Sequence, residues 1–476
     1  MRVRRVAIVG GGITGLAAAH RLMELAPNVE VSLFEAGSQL GGILQTDARD
    51  GFLLDLSADS FITSNPWAVD LCKRLGFAEE LIPTSTGQRQ AFVVHRGRLE
   101  KVPEGFVLMA PRRLRPLLLS PILSPWGKAR LLADYIVPRG KPDGDESLAS
   151  FARRRLGKEA YERLVQPLVG GIYTADAEKL SLAATLPRFL EMERRHGGLI
   201  RGARREAVNA NAASDGSAAR YSMFLAPRGG MSTLVTAIQS RLPPGVVHLK
   251  SPIQRIARAN SGEWQVTVGI DGNRDSSGSI EHRVDALIIA AASHQAGRLL
   301  GDLDPSLAAN LLRIPYADSA VALVAYRREQ IGHPLNGFGF VVPEIERRQV
   351  LACSFSSVKF PGRAPANGVL LRVFLGGAKH PEQVDRSDDD LQNIVTRELA
   401  DLLQISGDPL LFQVARWRAA MPQYHVGHQA LVAEIERAAA RHPHLYPVGN
   451  AYHGVGIPDC IHSGEIAAEQ IAAAAE

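Results

Sequence analysis

Over the first 35 residues the hydrophobic pattern changes period twice. Residues 5–9 (RVAIV) are a short β-branched run and predict a strand. Residues 13–26, rich in Ala and Leu, predict a helix, and residues 29–34 alternate as a second strand does. Strand, helix and strand in that order make a βαβ unit. A polar, turn-rich stretch follows, then a helix-like segment at 68–75. The character changes over 85–215, where prolines 116, 121 and 125 interrupt the apolar stretch 117–126. Residues 207–220 (AVNANAASDGSAAR) are small and polar, the composition of a mobile surface loop. Strand-like segments return at 246–249, 264–270 and 286–290, and 315–415 reads as a mixed sheet with helices. From Tyr446 the chain reads strand, glycine loop, helix. No internal repeat is visible. The order predicts an α/β protein whose first domain leaves and returns, as 1–84, 216–295 and 421–476. A helical region at 85–215 and a mixed α/β region at 296–420 are set between its parts.

Composition narrows the class. A chain of 476 residues exceeds one hydrophobic core, and 46% hydrophobic with 22% charged residues is ordinary for a folded soluble protein. No run approaches the ~18 apolar residues of a membrane-spanning helix, and glycines interrupt the N-terminal apolar run too early for a signal peptide. Cys72, Cys353 and Cys460 stand far apart, without the spacing of a disulfide framework or a zinc site, which points to a reducing cytoplasm. The pairs His425/His428 and His442/His444 lack accompanying acids in a metal-site pattern and read as structural, so no metal is expected. The net charge of +5 is too small and diffuse for nucleic acid. It is also local: between Arg89 and Arg155 there are 14 Lys/Arg against 6 Asp/Glu. A solvated face, a dock for substrate carboxylates and a contact with anionic lipid each account for that run.

The candidate chemistry lies in the glycines. Gly10-x-Gly12-x-x-Gly15 follows a strand and opens a helix. The first glycine permits a tight turn, the second lets a pyrophosphate approach the backbone, and the third lets the helix pack on the strand. The amides of Ile13 and Thr14 open that helix and face the phosphates. Glu35, followed by Ala36, ends the second strand where a carboxylate accepts bonds from ribose hydroxyls. A second glycine turn, Gly41-Gly42 with Thr46, points to FAD rather than NAD. Near the C-terminus, Gly449-Asn450 and Gly456-Ile457-Pro458 lead into a helix, an anion site suited to the polar edge of a flavin.

These residues resemble the oxygen-dependent porphyrinogen oxidases, the protoporphyrinogen oxidase and coproporphyrinogen III oxidase family among the amine-oxidase-like flavoproteins. The likeness spans nearly the whole chain: Asp59-Ser60-Phe61-Ile62, the 166–173 run QPLVGGIY, the 227–234 run PRGGMSTL, and the ending GVGIPDC at 454–460. It implies a Rossmann-type FAD-binding domain with a mixed-sheet substrate domain and a helical, membrane-facing insertion. It implies non-covalent FAD, held also by Gly229, Gly230, Met231, Ile253 and Trp417. The chain departs from the pattern at Ser57, where relatives usually carry glycine, and at Ala91, where many carry a propionate-holding arginine before the aromatic that matches Phe92. Arg89, Arg96 and Arg98 are candidates to replace it.

The implied reaction is a six-electron oxidation of a porphyrinogen. Hydride leaves a methylene bridge for flavin N5, O2 reoxidises the flavin with H2O2 release, and the cycle runs three times. No side chain is expected to be catalytic, because the cofactor does the redox work. The expected substrate is protoporphyrinogen IX, with coproporphyrinogen III as the alternative. A peripheral contact with the cytoplasmic membrane face and a homodimer are both compatible with the chain. An amine oxidase or carotenoid desaturase on the same fold is a further enzyme class. A binding protein of the escort type is the non-enzymatic one, and it predicts a colourless preparation.

Overall fold

The computed structural model describes residues 3–86, 90–140, 144–212, 223–269 and 278–475. Five parallel strands form the central sheet, in the order Val247–His248, Glu30–Phe34, Arg5–Val9, Ala286–Ile289 and Leu445–Pro447. Both faces are covered, so the strands are apolar throughout rather than alternating. Ala7, Ile8, Leu287 and Ile288 are fully buried.

The helix Ile13–Leu25 lies against the last helix, Ile457–Ala475. Their approach requires a residue without a side chain, since a Cβ at Gly464 would lie 2.3 Å from the Thr14 carbonyl oxygen. The N-termini of both helices are thereby brought to one end of the sheet.

A seven-stranded mixed sheet forms the second layer, running Leu411–Pro422, Tyr316–Arg327, Gly368–Gly376, Ala352–Phe355, Gly339–Val341, Ala91–His95 and Arg98–Lys101. The helix Asp388–Leu403 covers it with Leu391, Val395, Leu399 and Leu402, which share one face at helical spacing. Ser387 caps this helix by accepting from the Asp390 amide, and three aspartates occupy its first turn.

A third body of helices follows Leu114, with its own core around Phe151, Leu164 and Phe189. Within it Arg155, fully buried, pairs with Asp134 and Glu193.

Two expectations are corrected. Residues 91–101 are not helical: they form a hairpin at the edge of the seven-stranded sheet, because Ala91–His95 pairs in parallel with Gly339–Val341. Residues 207–212 are not loop either, since the helix Leu199–Ala212 runs through them, anchored by the buried Leu199, Ile200 and Ala203. The rest of that low-complexity stretch, 213–220, lies outside the described residues.

Candidate functional site

A cleft opens where the central sheet meets the N-termini of the two packed helices. The three glycines of the first turn have three separate physical roles. Gly10 has φ +106°, and a Cβ there would lie 2.6 Å from the Ala290 carbonyl oxygen. At Gly15 a Cβ would lie 2.0 Å from the Gly10 carbonyl oxygen, so this glycine permits the helix to sit on the strand. Gly12 differs from both: it has ordinary extended backbone, and a Cβ there would meet nothing within 4 Å. The space beyond it is the cleft.

Gly12 also precedes a helix whose first amides receive no side-chain cap. Those N–H groups and the positive end of the helix dipole are directed at the cleft. The second glycine turn faces the first. The Gly41 amide donates to the Gly11 carbonyl at 2.8 Å, and at Gly42, with φ +59°, an added Cβ would lie 3.4 Å from the Gly12 Cα. Two bare backbone turns thus enclose a slot with the dimensions and donors of a diphosphate site.

Glu35 lines the same cleft, and its carboxylate is engaged on both oxygens. One accepts from the Gly11 amide and the other from the Gly37 amide, each at 2.7 Å. Each carboxylate oxygen keeps a further lone pair for a hydroxyl. Ala36, Ser251 and Ile253 continue this wall.

At the opposite end stand Gly449, Asn450, Val455 and Ile457. Gly449, at φ +120°, is tied by its amide to the Ser463 hydroxyl at 3.0 Å, and the Asn450 carbonyl accepts the Tyr424 hydroxyl at 2.6 Å. Gly456 and Pro458 lead into the last helix just behind. Asp459, in the first turn, accepts from Asn65 Nδ2 at 2.9 Å and from the Gly456 amide, and burial raises its pKa.

The Gly42–Gln45 segment is braced from behind by a chain of hydrogen bonds. The Leu56 amide donates to the Gln45 carbonyl at 2.9 Å, the Ser57 hydroxyl to the Ile43 carbonyl, and Trp417 Nε1 to the Leu56 carbonyl at 2.9 Å. Trp417 is therefore one layer behind the cleft, while Ala419 and Ala420 of its strand line it. Ser57 keeps negative φ, so the departure from glycine there costs no backbone strain. Arg372 donates to the Ser57 carbonyl and pairs with Asp59 at 2.7 Å, which Lys359 joins at 3.0 Å. Burial alone would raise the Asp59 pKa, but Lys359 and Arg372 outweigh it and hold the carboxyl far below the usual range.

Thr46, Gly230 and Met231 meet in a second buried cluster. Asp55 accepts from the Met231 amide at 2.9 Å and from the Thr46 hydroxyl at 2.7 Å, and Arg363 pairs with it at 3.3 Å. A Cβ on Gly230 would strike Thr46, which explains glycine there. Gly229 is exposed in the turn before it.

The structure does not bring the expected substrate arginines to this cleft. Arg89 lies outside the described residues. Phe92 is buried in the seven-stranded sheet, edge-on to His333. Arg96, with φ +53°, and Arg98 are exposed at the hairpin tip, where Glu346 accepts the Arg96 amide. Strand pairing uses up that stretch. Sequence reasoning instead overlooked Asn65 and Arg188. Val455 lines the cleft and also packs on the helical core that carries Tyr173. The Tyr173 hydroxyl donates to the Thr185 carbonyl at 3.3 Å, and burial, then Asp459, push its pKa up to about 12. The two histidine pairs are occupied elsewhere: His428 bonds to the Tyr452 carbonyl and His442 to Asp304.

Comparison with known proteins agrees with this geometry. The family model for flavin containing amine oxidoreductases matches residues 13–472. The chain belongs to that family. It is 33% identical to the coproporphyrinogen III oxidase of Bacillus subtilis, over 98% of this chain and 97% of that one. It is 28% identical to the mitochondrial protoporphyrinogen oxidase of Nicotiana tabacum, over 98% and 94%. A solved structure from Exiguobacterium sp., provisionally named a protoporphyrinogen oxidase, superposes with a TM-score of 0.86 at 28% identity over 99% of both chains. The protein is an oxidoreductase with the amine-oxidase-like fold, and its cofactor is FAD. The cleft suits that group: two facing glycine turns, two helix starts, the first of them uncapped, and a carboxylate on the wall match its diphosphate, ring edge and ribose.

Proposed function

We propose that the protein oxidises a porphyrinogen to the porphyrin, and that coproporphyrinogen III is its substrate. The observation that carries this reading is the junction of the cleft with the helical core, where Val455 lines the cleft, Tyr173 packs on the same core within reach of Asp459, and the Arg188 guanidinium is within electrostatic reach of Tyr173. Loss of solvent around the guanidinium lowers the Arg188 pKa against the opposing Glu206 carboxylate, with Arg112 adding to the fall, although the residue as a whole stays exposed. An apolar slot closed by guanidiniums suits a macrocycle with carboxylates on its rim. Four carboxylates suit the basic surroundings better than two, and the bacterial relatives named for coproporphyrinogen III favour the same choice over protoporphyrinogen IX.

When bound, FAD accepts two electrons as hydride in each of three turnovers and passes them to O2. The chain's own residues do the rest. The Gly42–Gln45 segment and the head of the last helix would hold the ring, the Trp417–Leu56 hydrogen bond braces that segment from behind, and Asp459 fixes the Gly456 turn. The test is a flavin absorption spectrum followed by porphyrin fluorescence under air with both porphyrinogens. Faster turnover of coproporphyrinogen III, with three O2 consumed per porphyrin, is expected. Flavin-loaded protein inert on both substrates would refute the reading.

The enzyme also meets an anionic lipid surface from the cytoplasmic side, supported by Leu119, Trp126 and Ile136, which are 74%, 85% and 83% exposed beside the basic run. No helix among the described residues is long and apolar enough to cross a membrane, so such contact is peripheral. Trp126→Ser should weaken sedimentation with phosphatidylglycerol vesicles several-fold. Unchanged sedimentation would remove the contact.

A further inference from the structure

Outside the flavin cleft, and sharing no residue with it, lies a cavity of about 560 Å³. The turn after the hairpin Phe106–Val107 and Ala110–Pro111, the start of the helix Leu114–Leu119, and the helix Leu199–Ala212 enclose it. Its wall carries four guanidiniums, Arg112, Arg113, Arg115 and Arg204, against the single carboxylate of Glu104. Arg113 is paired with Glu104, and Arg204 donates to the Tyr135 hydroxyl at 3.2 Å. Arg112 and Arg115 have no side-chain acceptor among the described residues.

The cluster is built by the backbone. The Arg112 amide donates to the Gly105 carbonyl at 2.8 Å, and Gly105, at φ +81°, leaves only 3.1 Å between a Cβ in its place and the Arg113 amide nitrogen. Uncompensated like charges gathered in a concave site repel one another and favour an anion between them. Arg188, itself exposed, is within electrostatic reach of the Glu206 carboxylate, of Arg112 and of Tyr173, and Tyr173 is within reach of Asp459 at the flavin end. Arg112, Arg188 and Tyr173 thus form a chain of neighbours between the cavity and the flavin end of the cleft.

We propose that this cavity binds the carboxylates of the tetrapyrrole itself, as an outer station passed by the incoming porphyrinogen and the departing porphyrin. The inference rests on the porphyrinogen reading above. Guanidiniums match carboxylates in pairs, and the apolar Leu114 and Pro116 in the same wall give a macrocycle a surface that an inorganic anion does not need.

The test uses the FAD-loaded protein, titrated with coproporphyrin III and assayed with coproporphyrinogen III. In the Arg112→Ala/Arg115→Ala variant the porphyrin Kd and the porphyrinogen KM should each rise about tenfold, with kcat and flavin content unchanged and a shallower salt dependence. The Arg112→Lys/Arg115→Lys variant keeps the charge and should recover most of the loss, which separates a binding defect from misfolding. Unchanged Kd and KM would overturn the proposal. So would a loss confined to sedimentation with phosphatidylglycerol vesicles, which would make the cavity a lipid-headgroup site. Wild-type protein that carries flavin and oxidises neither porphyrinogen would instead sink the function itself, a result separate from either variant's.

Discussion

Gly12→Val should yield a folded protein without FAD. The backbone at residue 12 is extended, which a β-branched residue adopts readily, and a Cβ there meets no protein atom within 4 Å. The added methyls therefore fill only the space between the two glycine turns. That space is where a diphosphate must approach the uncapped amides of the helix Ile13–Leu25. A fall in FAD affinity of about 100-fold or more is expected, equivalent to about 3 kcal/mol. The melting temperature of the apoprotein should match that of wild-type apoprotein. Gly15→Val is the counterpart: its Cβ would collide with the Gly10 carbonyl, so the fold should fail as well as the cofactor site. The ratio of flavin to protein absorbance, read beside thermal melts of both apoproteins, separates the two cases. A normal flavin content in Gly12→Val would show that the diphosphate lies elsewhere.

Arg363→Ala should be the most damaging substitution away from the cleft. Arg363 is 1% and Asp55 2% exposed, and among the described residues no other cation forms an ion pair with Asp55. Arg363 also donates to the Arg228 and Pro227 carbonyls at 2.8 and 2.9 Å, just ahead of the Gly229–Met231 turn. Its removal leaves a buried carboxylate and two carbonyls without their donor, at a cost of about 3–5 kcal/mol. Burial already raises the Asp55 pKa, and loss of the guanidinium raises it further. The folded variant then binds a proton that the unfolded chain, with an ordinary aspartate, releases near pH ~4. Its stability should therefore fall as pH rises above that value, and the deficit should be larger at pH ~8 than at pH ~5. Denaturant melts at both values, with Asp55→Asn added to the variant, provide the check. The added change should recover part of the loss and flatten the pH dependence; a deficit independent of pH would contradict the account.

Much of the site was legible because its determinants are local. Glycines at fixed offsets between a strand and a helix specify a backbone path whatever the rest of the chain does, and the cleft is lined at Gly10, Gly12, Gly41 and Gly42. What the sequence left hidden depends on contacts between distant residues. The arginines at 96, 98 and 112 look alike in the basic run and Arg188 lies beyond it without a motif of its own, and only the pairing of Ala91–His95 with Gly339–Val341 removes the first two from consideration. Phe92 was ambiguous for the same reason, since an aromatic at the edge of a pocket and one inside a sheet share the same neighbours in sequence. The bracing of the cofactor loop by Arg372 and Asp59 spans more than 300 positions and leaves no periodic trace. Residues 207–212 misled because Ala and Asn suggest a loop, while the apolar residues that anchor their helix precede them.

The central sheet has a consequence for the order in which the protein is made. Its strands come from residues 5–9, 30–34, 247–248, 286–289 and 445–447, and the helix that brings the second N-terminus begins only at Ile457. A chain emerging from the ribosome presents the first glycine turn, residues 10–15, long before the opposite wall at 449–457 is made. Capture of the cofactor therefore waits for that later segment, and until then the nascent chain carries the half-site as exposed apolar strands.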